Sequence, residues 1–138
     1  MAHPYSLDTS HAQSRWNTLD AFTQGYIEAA MWTLTDVDGH NLDYLGLHDI
    51  AEDTIEQAIT DCADFQAANR TLLDRATDES GRGDESHGHD LWLTRNGHGA
   101  GFWDRGYSDA IADPLTDAAL ACGEMIWYLG DDGLVYGV

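Results

Sequence analysis

The sequence predicts an α+β fold with two N-terminal helices, followed by a β-hairpin, a helix and a second β-hairpin. In the N-terminal half, apolar residues recur at steps of three and four, which is typical of amphipathic helices. In the C-terminal half, short apolar runs flank two tight-turn signals, Asn96-Gly97 and the sequence GDDG at 130–133. We therefore expect a small antiparallel sheet covered by helices on one face.

The first helix is predicted over residues 18–34. Its apolar positions share one face: Leu19, Phe22, Tyr26, Ile27, Ala30, Met31 and Leu34. Asn17 or Thr18 can cap its first turn, and the sequence DVDG at 36–39 predicts its end. This DVDG sequence also resembles part of a calcium loop. The later ligand positions of such a loop are missing, so we do not expect calcium there.

The second helix is predicted to begin at Leu47 or Asp49 and to end at Arg75. Its inner face is apolar, whereas its outer face carries carboxylates at steps of three and four: Asp49, Glu52, Asp53, Glu56, Asp61 and Asp64. The first four of these residues form the candidate acidic face. Such an array can imitate the phosphates of a nucleic acid, and it is equally typical of a solvated helix surface.

The next segment, residues 77–88, is predicted to be a flexible loop because its sequence TDESGRGDESHG is polar and rich in glycine. Residues 89–95 alternate in polarity and predict a strand. The return strand is expected at 100–103, after the Asn96-Gly97 turn. Together these residues predict the first hairpin.

A third helix is expected over residues 109–122. Asp113 and Pro114 resemble a helix cap followed by a first helical residue, so a short turn can precede the helix proper. The apolar residues 125–129 and 134–138 then predict the closing hairpin around GDDG.

The length of 138 residues suits a single domain. We expect residues 1–15 to form a flexible arm and residues 16–138 to form one α+β domain that contains the 77–88 loop. The N-terminus does not resemble a secretory signal, and no apolar run reaches the length of a membrane span. Cys62 and Cys122 lie in apolar helical contexts, which predicts buried thiols in a reducing compartment.

The charge of the chain is strongly negative. There are 25 Asp and Glu residues, only six Arg and no Lys, which gives a formal net charge of −19. Such a surface repels nucleic acids and anionic membranes, so we expect neither direct nucleic-acid binding nor membrane binding. Three interpretations stay open: adaptation to high salt or a GC-rich genome, mimicry of a nucleic acid that occupies a basic groove, and acidity that serves solubility.

The densest group of polar and aromatic residues lies between His89 and Arg105. In the predicted hairpin, His98 could act as an acid or base with Asp104 or Asp90, and the catalytic candidates are His98 and Asp104. An interaction surface is the second interpretation, and its predicted members are Arg95, Asn96, His98, Trp103, Asp104 and Arg105. The third interpretation is structural: the aromatic residues pack in the core, and the arginines form ion pairs. The histidines lack the further ligands of known hydrolase motifs, so we predict no metal and no cofactor.

The sequence HDLWLTRNGHGAGFWDRG at residues 89–106 resembles a signature of small proteins from tailed bacteriophages and prophages. Those proteins often have Phe in place of Leu91. The resemblance extends more weakly to AFTQGYIEAAMWTLTD in the first helix and to YLGDDGLVYG near the C-terminus. It implies a viral accessory protein in the cytoplasm of an infected host cell. The family brings no established activity, so no catalytic residue is transferred.

The function that these observations favour is an acidic viral accessory protein that binds a protein partner, in its sharpest form a nucleic-acid mimic that inhibits a defence protein. Two other functions stay open. One is a small enzyme or a ligand- or metal-binding protein centred on the hairpin from His89 to Arg105. The other is a component of the virion or of its assembly. The sequence leaves the oligomeric state open.

Overall fold

The computed structural model of the protein describes residues 13–36, 38–42 and 44–138. Helices, with the 3-10 turns included, account for 63% of the described residues. Within the described ranges, the only sheet is a two-stranded hairpin near the C-terminus. The predicted α+β fold, with a central hairpin and a sheet covered by helices, is therefore wrong. The fold is a helical assembly with one small hairpin at its edge.

Four helices form the body of the molecule. Helix α1 spans Ala21–Trp32, α2 spans Glu52–Ser80, α3 spans Asp84–Arg95 and α4 spans Asp109–Ala121. Residues 13–18 form a short additional helix before α1. Two single 3-10 turns, Leu47–Asp49 and Phe102–Asp104, precede α2 and α4. The strands are β1, Trp127–Leu129, and β2, Val135–Gly137.

The first helix follows the sequence prediction closely, although Asp20 caps it rather than Asn17 or Thr18. The Asp20 carboxylate accepts a hydrogen bond of 2.8 Å from the backbone N–H of Thr23. This bond satisfies one of the donors that every helix start leaves without a partner. The predicted flexible arm lies mostly outside the described residues, and its last members, residues 13–15, are helical.

Helix α2 begins and ends later than predicted and continues through the first third of the expected 77–88 loop. Asn69 departs from helical geometry within it, and the Asn69 side-chain amide donates to the Phe65 carbonyl at 2.9 Å. The helix ends at Gly81, whose φ of 78° places it in the left-handed region that favours glycine. Only residues 81–83 separate α2 from α3, so the predicted flexible loop is a tight connection between two helices.

Helix α3 replaces the first strand of the predicted central hairpin. The alternating polarity of residues 89–95 is misleading, because α3 lies in the middle of the fold. Residues 90–95 are all buried, packed in a core shared with α1 and α2. A helix that is buried all round has no polar face, and so it loses the helical periodicity that sequence analysis relies on.

Helices α1 and α3 make the closest contact in the fold. A Cβ added to Gly25 would lie 2.0 Å from the backbone oxygen of Glu85. A Cβ added to Gly88 would lie 1.9 Å from the backbone oxygen of Phe22. The two helix backbones therefore touch at these glycines, and no larger residue fits at either position without separating them.

The C-terminal helix and hairpin lie at the positions in the chain where the sequence predicts them. Helix α4 begins at Asp109 and contains Pro114 inside it, rather than starting at the proline. Strands β1 and β2 pair antiparallel, with Trp127 opposite Gly137 and Leu129 opposite Val135. The hairpin joins the body through the Val135 carbonyl, which accepts a hydrogen bond of 2.9 Å from the backbone N–H of Ala51.

Aromatic side chains link the helices in one hydrophobic core. The rings of Phe65 on α2 and Phe102 stack with centroids 5.9 Å apart, and Trp92 on α3 contacts both Tyr26 and Trp127 with centroids 5.3 Å apart. Cys62 is a buried thiol as predicted, whereas Cys122 is exposed. Within the described ranges, no helix combines the length and the apolar character needed to cross a membrane.

Candidate functional site

The segment from His89 to Gly106 forms the end of α3, a loop and a 3-10 turn, and several of its backbone and side-chain groups bond to one another. The Thr94 hydroxyl accepts a hydrogen bond of 3.1 Å from the backbone N–H of Phe102. The Asp104 carboxylate accepts a bond of 3.0 Å from the N–H of Gly101. A Cβ at Gly101 would lie 2.0 Å from the Thr94 hydroxyl oxygen. The space beside Thr94 therefore accommodates a glycine at position 101 and no larger residue.

A buried ion pair fixes the rest of this segment to α3. Asp90 is fully buried, and its Oδ1 accepts two hydrogen bonds from Arg105, 3.0 Å from Nε and 2.8 Å from Nη2. Arg82 approaches the other carboxylate oxygen at 3.5 Å. Two guanidinium groups thus face one buried carboxylate, which offsets the penalty of removing its charge from water.

His87 extends this polar cluster toward α2. Its Nε2 lies 2.9 Å from the Thr77 hydroxyl, and the side chain is fully buried. Burial lowers the pKa of His87, partly opposed by the carboxylates of Asp84 and Asp90. In the part of the chain that the structure describes, four buried polar atoms of this region have no hydrogen-bond partner: Arg82 Nε, His87 Nδ1, Asp90 Oδ2 and the Tyr107 hydroxyl.

Arg95, predicted to lie on an interaction surface, is 6% exposed and joins three helices. Its guanidinium donates to the Tyr26 hydroxyl and the Asp61 carboxylate, each at 2.9 Å. It also donates to the carbonyl oxygens of Cys122 at 3.0 Å and Gly123 at 2.8 Å, beyond the end of α4. A cation at a helix C-terminus also interacts favourably with the helix dipole. The observed contacts of Arg95 are therefore internal to the fold.

The other predicted site residues are dispersed. His98 and Trp103 are exposed, whereas Asn96 is half-buried and accepts a hydrogen bond of 2.9 Å from the backbone N–H of Met125. Asp104 lies 3.7 Å from Arg105. Among the described residues, no hydrogen bond or ion pair joins His98 to Asp104. The structure gives these two catalytic candidates no direct contact, and their catalytic role stays a prediction.

The candidate acidic face at the start of α2 is partly neutralised. Arg15 approaches the Glu52 carboxylate at 2.8 Å and the Glu56 carboxylate at 2.5 Å. Asp49 accepts a hydrogen bond of 2.8 Å from the backbone N–H of Gly46, so it serves the 3-10 turn. Asp53 is exposed. This face therefore carries less uncompensated charge than its sequence indicates.

A second acidic region lies where α2 packs beside α4. A cleft of about 420 Å³ opens between these two helices, and we call it the acidic cleft. Its lining residues are Asp61, Asp64, Phe65, Ala68, Asn69, Arg95, Ala118, Ala121 and Cys122. Asp61 and Asp64 stand beside an apolar floor of phenylalanine and alanine side chains. Asp61 is held by Arg95, whereas Asp64 is exposed.

Helix α4 adds a row of carboxylates that the sequence analysis missed. Asp109, Asp113 and Asp117 are all exposed and follow one another at steps of four; we call them the α4 stripe. Four residues advance a helix by about 6 Å, so the three side chains lie along one side of it. The signal was present in the sequence, but Asp113-Pro114 was interpreted as a helix start rather than as the helix interior.

Comparisons with protein-family models, with curated proteins and with solved structures found no match to this chain.

Proposed function

We propose that the protein binds a basic, arginine- or lysine-rich segment of a protein partner, and that the acidic cleft and the α4 stripe receive this segment. The observation that carries the proposal is the pairing of an apolar floor with carboxylates that have no arginine partner within the described residues. Asp64, Asp113 and Asp117 are exposed and take part in no ion pair there.

The arginines of the chain support this proposal because most of them already pair with carboxylates of the chain. Among the described residues, five of the six approach a carboxylate within 4 Å, whereas Arg75 makes no such contact. The Arg82, Arg95 and Arg105 side chains are directed to Asp90 and Asp61. Few cations are left to offset the exposed carboxylates, and the net charge of −19 attracts a cationic partner and accelerates its association.

The shape of the acidic cleft suits an arginine side chain. A guanidinium group forms hydrogen bonds with carboxylates, while its methylene stem packs on apolar surface. Asp64 supplies the carboxylate, and Phe65 with the alanines at 68, 118 and 121 supplies the apolar surface. A partner segment with several basic residues would then reach the α4 stripe.

The resemblance of residues 89–106 to phage proteins supports the same proposal from the sequence. A phage accessory protein that inhibits a nucleic-acid-binding protein of its host would need a surface that competes with phosphates. In this proposal the signature itself provides stability, since Asp90, Thr94 and Arg105 hold the segment against α3.

The test is binding of a fluorescent arginine-rich peptide of about twelve residues, measured by fluorescence anisotropy at low and at moderate salt. The same peptide with citrulline in place of arginine is the neutral control, because it keeps the shape and loses the charge. We expect the arginine peptide to bind with one-to-one stoichiometry. We expect the triple variant Asp64→Asn, Asp113→Asn and Asp117→Asn to bind it at least tenfold more weakly.

A matched variant separates a specific site from diffuse attraction. Asp53→Asn, Asp78→Asn and Asp131→Asn remove the same charge from exposed positions elsewhere. This control should lose less than about threefold in affinity. Equal losses in the two triple variants would show that only net charge matters, and a complete lack of peptide binding would also refute the proposal.

A further inference from the structure

We propose that Glu28, Glu85 and His89 form a binding site for a divalent transition-metal ion of the Zn²⁺ type at the crossing of helices α1 and α3. This site is distinct from the acidic cleft. It also differs from the acid-base pair predicted from the sequence, in which His98 acts with Asp104 or Asp90.

The three side chains converge on one point. One ligand atom from each of Glu28, Glu85 and His89 lies within 4.8 Å of the other two. Glu28 comes from α1, whereas Glu85 and His89 come from α3 at positions four apart. Residues at this spacing lie on the same side of a helix, one turn apart. Metal sites in helical proteins are commonly built from side chains on facing helices.

The glycine contact between the helices fixes this convergence. Glu28 follows Gly25 by three residues, so it lies about one turn beyond the closest point of the crossing. Glu85 and His89 flank Gly88 on α3, and the backbone oxygen of Glu85 itself touches Gly25. Because the two backbones cannot slide or separate easily at this point, helix packing keeps the backbone positions of the three residues close together.

The site combines two exposed carboxylates with one half-buried imidazole. Two carboxylates of the same charge, Glu28 and Glu85, face each other across the helix crossing. A divalent ion between them would convert this repulsion into attraction.

The donor set selects the kind of ion. One imidazole nitrogen and two carboxylate oxygens suit Zn²⁺, Mn²⁺ or Fe²⁺ better than Ca²⁺ or Mg²⁺, which take oxygen ligands. Three protein ligands would leave at least one coordination position for water. Glu28 also lines a cavity of about 380 Å³ together with Trp16, Met31 and His48. A small molecule in this cavity can therefore reach the Glu28 side chain.

The described residues contain a second cluster of possible metal ligands, and the local turn explains why its side chains lie close together. Asp36, Asp38 and His40 also lie close together, in the loop after α1. The Asp36 carboxylate accepts hydrogen bonds from the backbone N–H groups of Asp38 and His40, at 2.8 Å and 2.9 Å. The turn itself accounts for that arrangement, and we propose no site there.

The proposal is tested by calorimetric titration of the untagged protein with Zn²⁺, in millimolar Mg²⁺ to occupy sites that consist only of carboxylates. We expect one equivalent of Zn²⁺ to bind. Glu28→Gln, Glu85→Gln and His89→Asn should each weaken this binding at least tenfold. The matched substitutions Glu56→Gln and His98→Asn, at exposed positions, should change it less than twofold. Circular dichroism of each variant confirms that its helices are retained.

A measurement on the unaltered protein makes the test independent of the variants. In side-chain nuclear magnetic resonance spectra, one equivalent of Zn²⁺ should shift the His89 imidazole signals and leave those of His98 and His40 in place. Equal Zn²⁺ affinity in all five variants would overturn the proposal. So would shifts spread over several histidines, or a titration without a stoichiometric step.

Discussion

Arg105 donates two hydrogen bonds to a single oxygen of Asp90, a carboxylate with no exposed surface. The two residues lie fifteen positions apart, and between them the chain leaves α3, forms the glycine-rich loop and makes the 3-10 turn. This bond closes the loop onto the helix. It also explains why the segment has an acidic residue at one end and an arginine at the other.

Removing the arginine should strongly destabilise the fold. Arg105→Ala leaves Asp90 buried with only the more distant Arg82, and an uncompensated buried charge costs about 3–5 kcal/mol. Chemical denaturation followed by circular dichroism measures the free energy of unfolding. Arg75→Ala is the matched control, since Arg75 is exposed, and it should change that free energy by less than about 0.5 kcal/mol. Equal effects of the two substitutions would contradict the importance of the buried pair.

The glycine contact between α1 and α3 predicts an effect opposite to helix propensity. Alanine in place of a glycine inside an isolated helix stabilises it by about 1 kcal/mol. Gly88→Ala should instead destabilise the protein by about 3 kcal/mol, because the new Cβ would overlap the Phe22 backbone oxygen. Gly83→Ala meets nothing within 4 Å and should alter stability by no more than about 1 kcal/mol. Thermal denaturation of both variants distinguishes the two expectations.

His87 should make stability depend on pH. Because burial lowers its pKa in the folded state, the unfolded chain takes up a proton first as the pH falls. The stability from the neutral histidine is therefore complete above about pH 6.5 and is lost as the pH falls from there toward the folded pKa, by at most about 1.4 kcal/mol per pH unit. Urea denaturation of the parent and of His87→Gln at several pH values measures this. Parallel pH profiles would contradict the prediction.

The uncompensated carboxylates should make the fold more stable in salt. Repulsion between exposed carboxylates is screened over about 10 Å at 0.1 M salt and about 3 Å at 1 M salt. We expect the melting temperature to rise by about 5 °C between 0.05 M and 1 M NaCl. The triple variant of Asp109, Asp113 and Asp117 to Asn should be more stable than the parent at low salt and equal to it at high salt. A melting temperature that does not change with NaCl would contradict this view of the surface.

Much of the helical structure could be predicted from the sequence. The amphipathic pattern of residues 18–34 indicates α1, and the apolar face that begins near residue 50 indicates α2. The closing hairpin around 130–133 was also predicted correctly. In these elements one side faces the core and the other faces water, so burial leaves a periodic pattern that can be counted.

The central helix could not be predicted in this way. Residues 90–95 are buried on all sides, and Gly88 lies inside the helix where propensity disfavours it. The Asn96-Gly97 pair does end an element, but that element is α3 and not a strand. Because a glycine inside a helix is tolerated when another backbone packs against it, the reason for Gly88 lies on α1, more than sixty residues earlier in the chain.

The sequence by itself determined the charge, the helical periodicity of the amphipathic elements and the turn between β1 and β2. The periodicity and the turn depend on residues close together in the chain, and the charge depends on composition alone. Only the tertiary structure decided which carboxylates stay exposed, that Arg95 and Arg105 are used inside the fold, and that Glu28 meets Glu85 and His89. Those relationships depend on how the helices pack. Packing is set by shape complementarity between distant segments, which no local pattern of residues records.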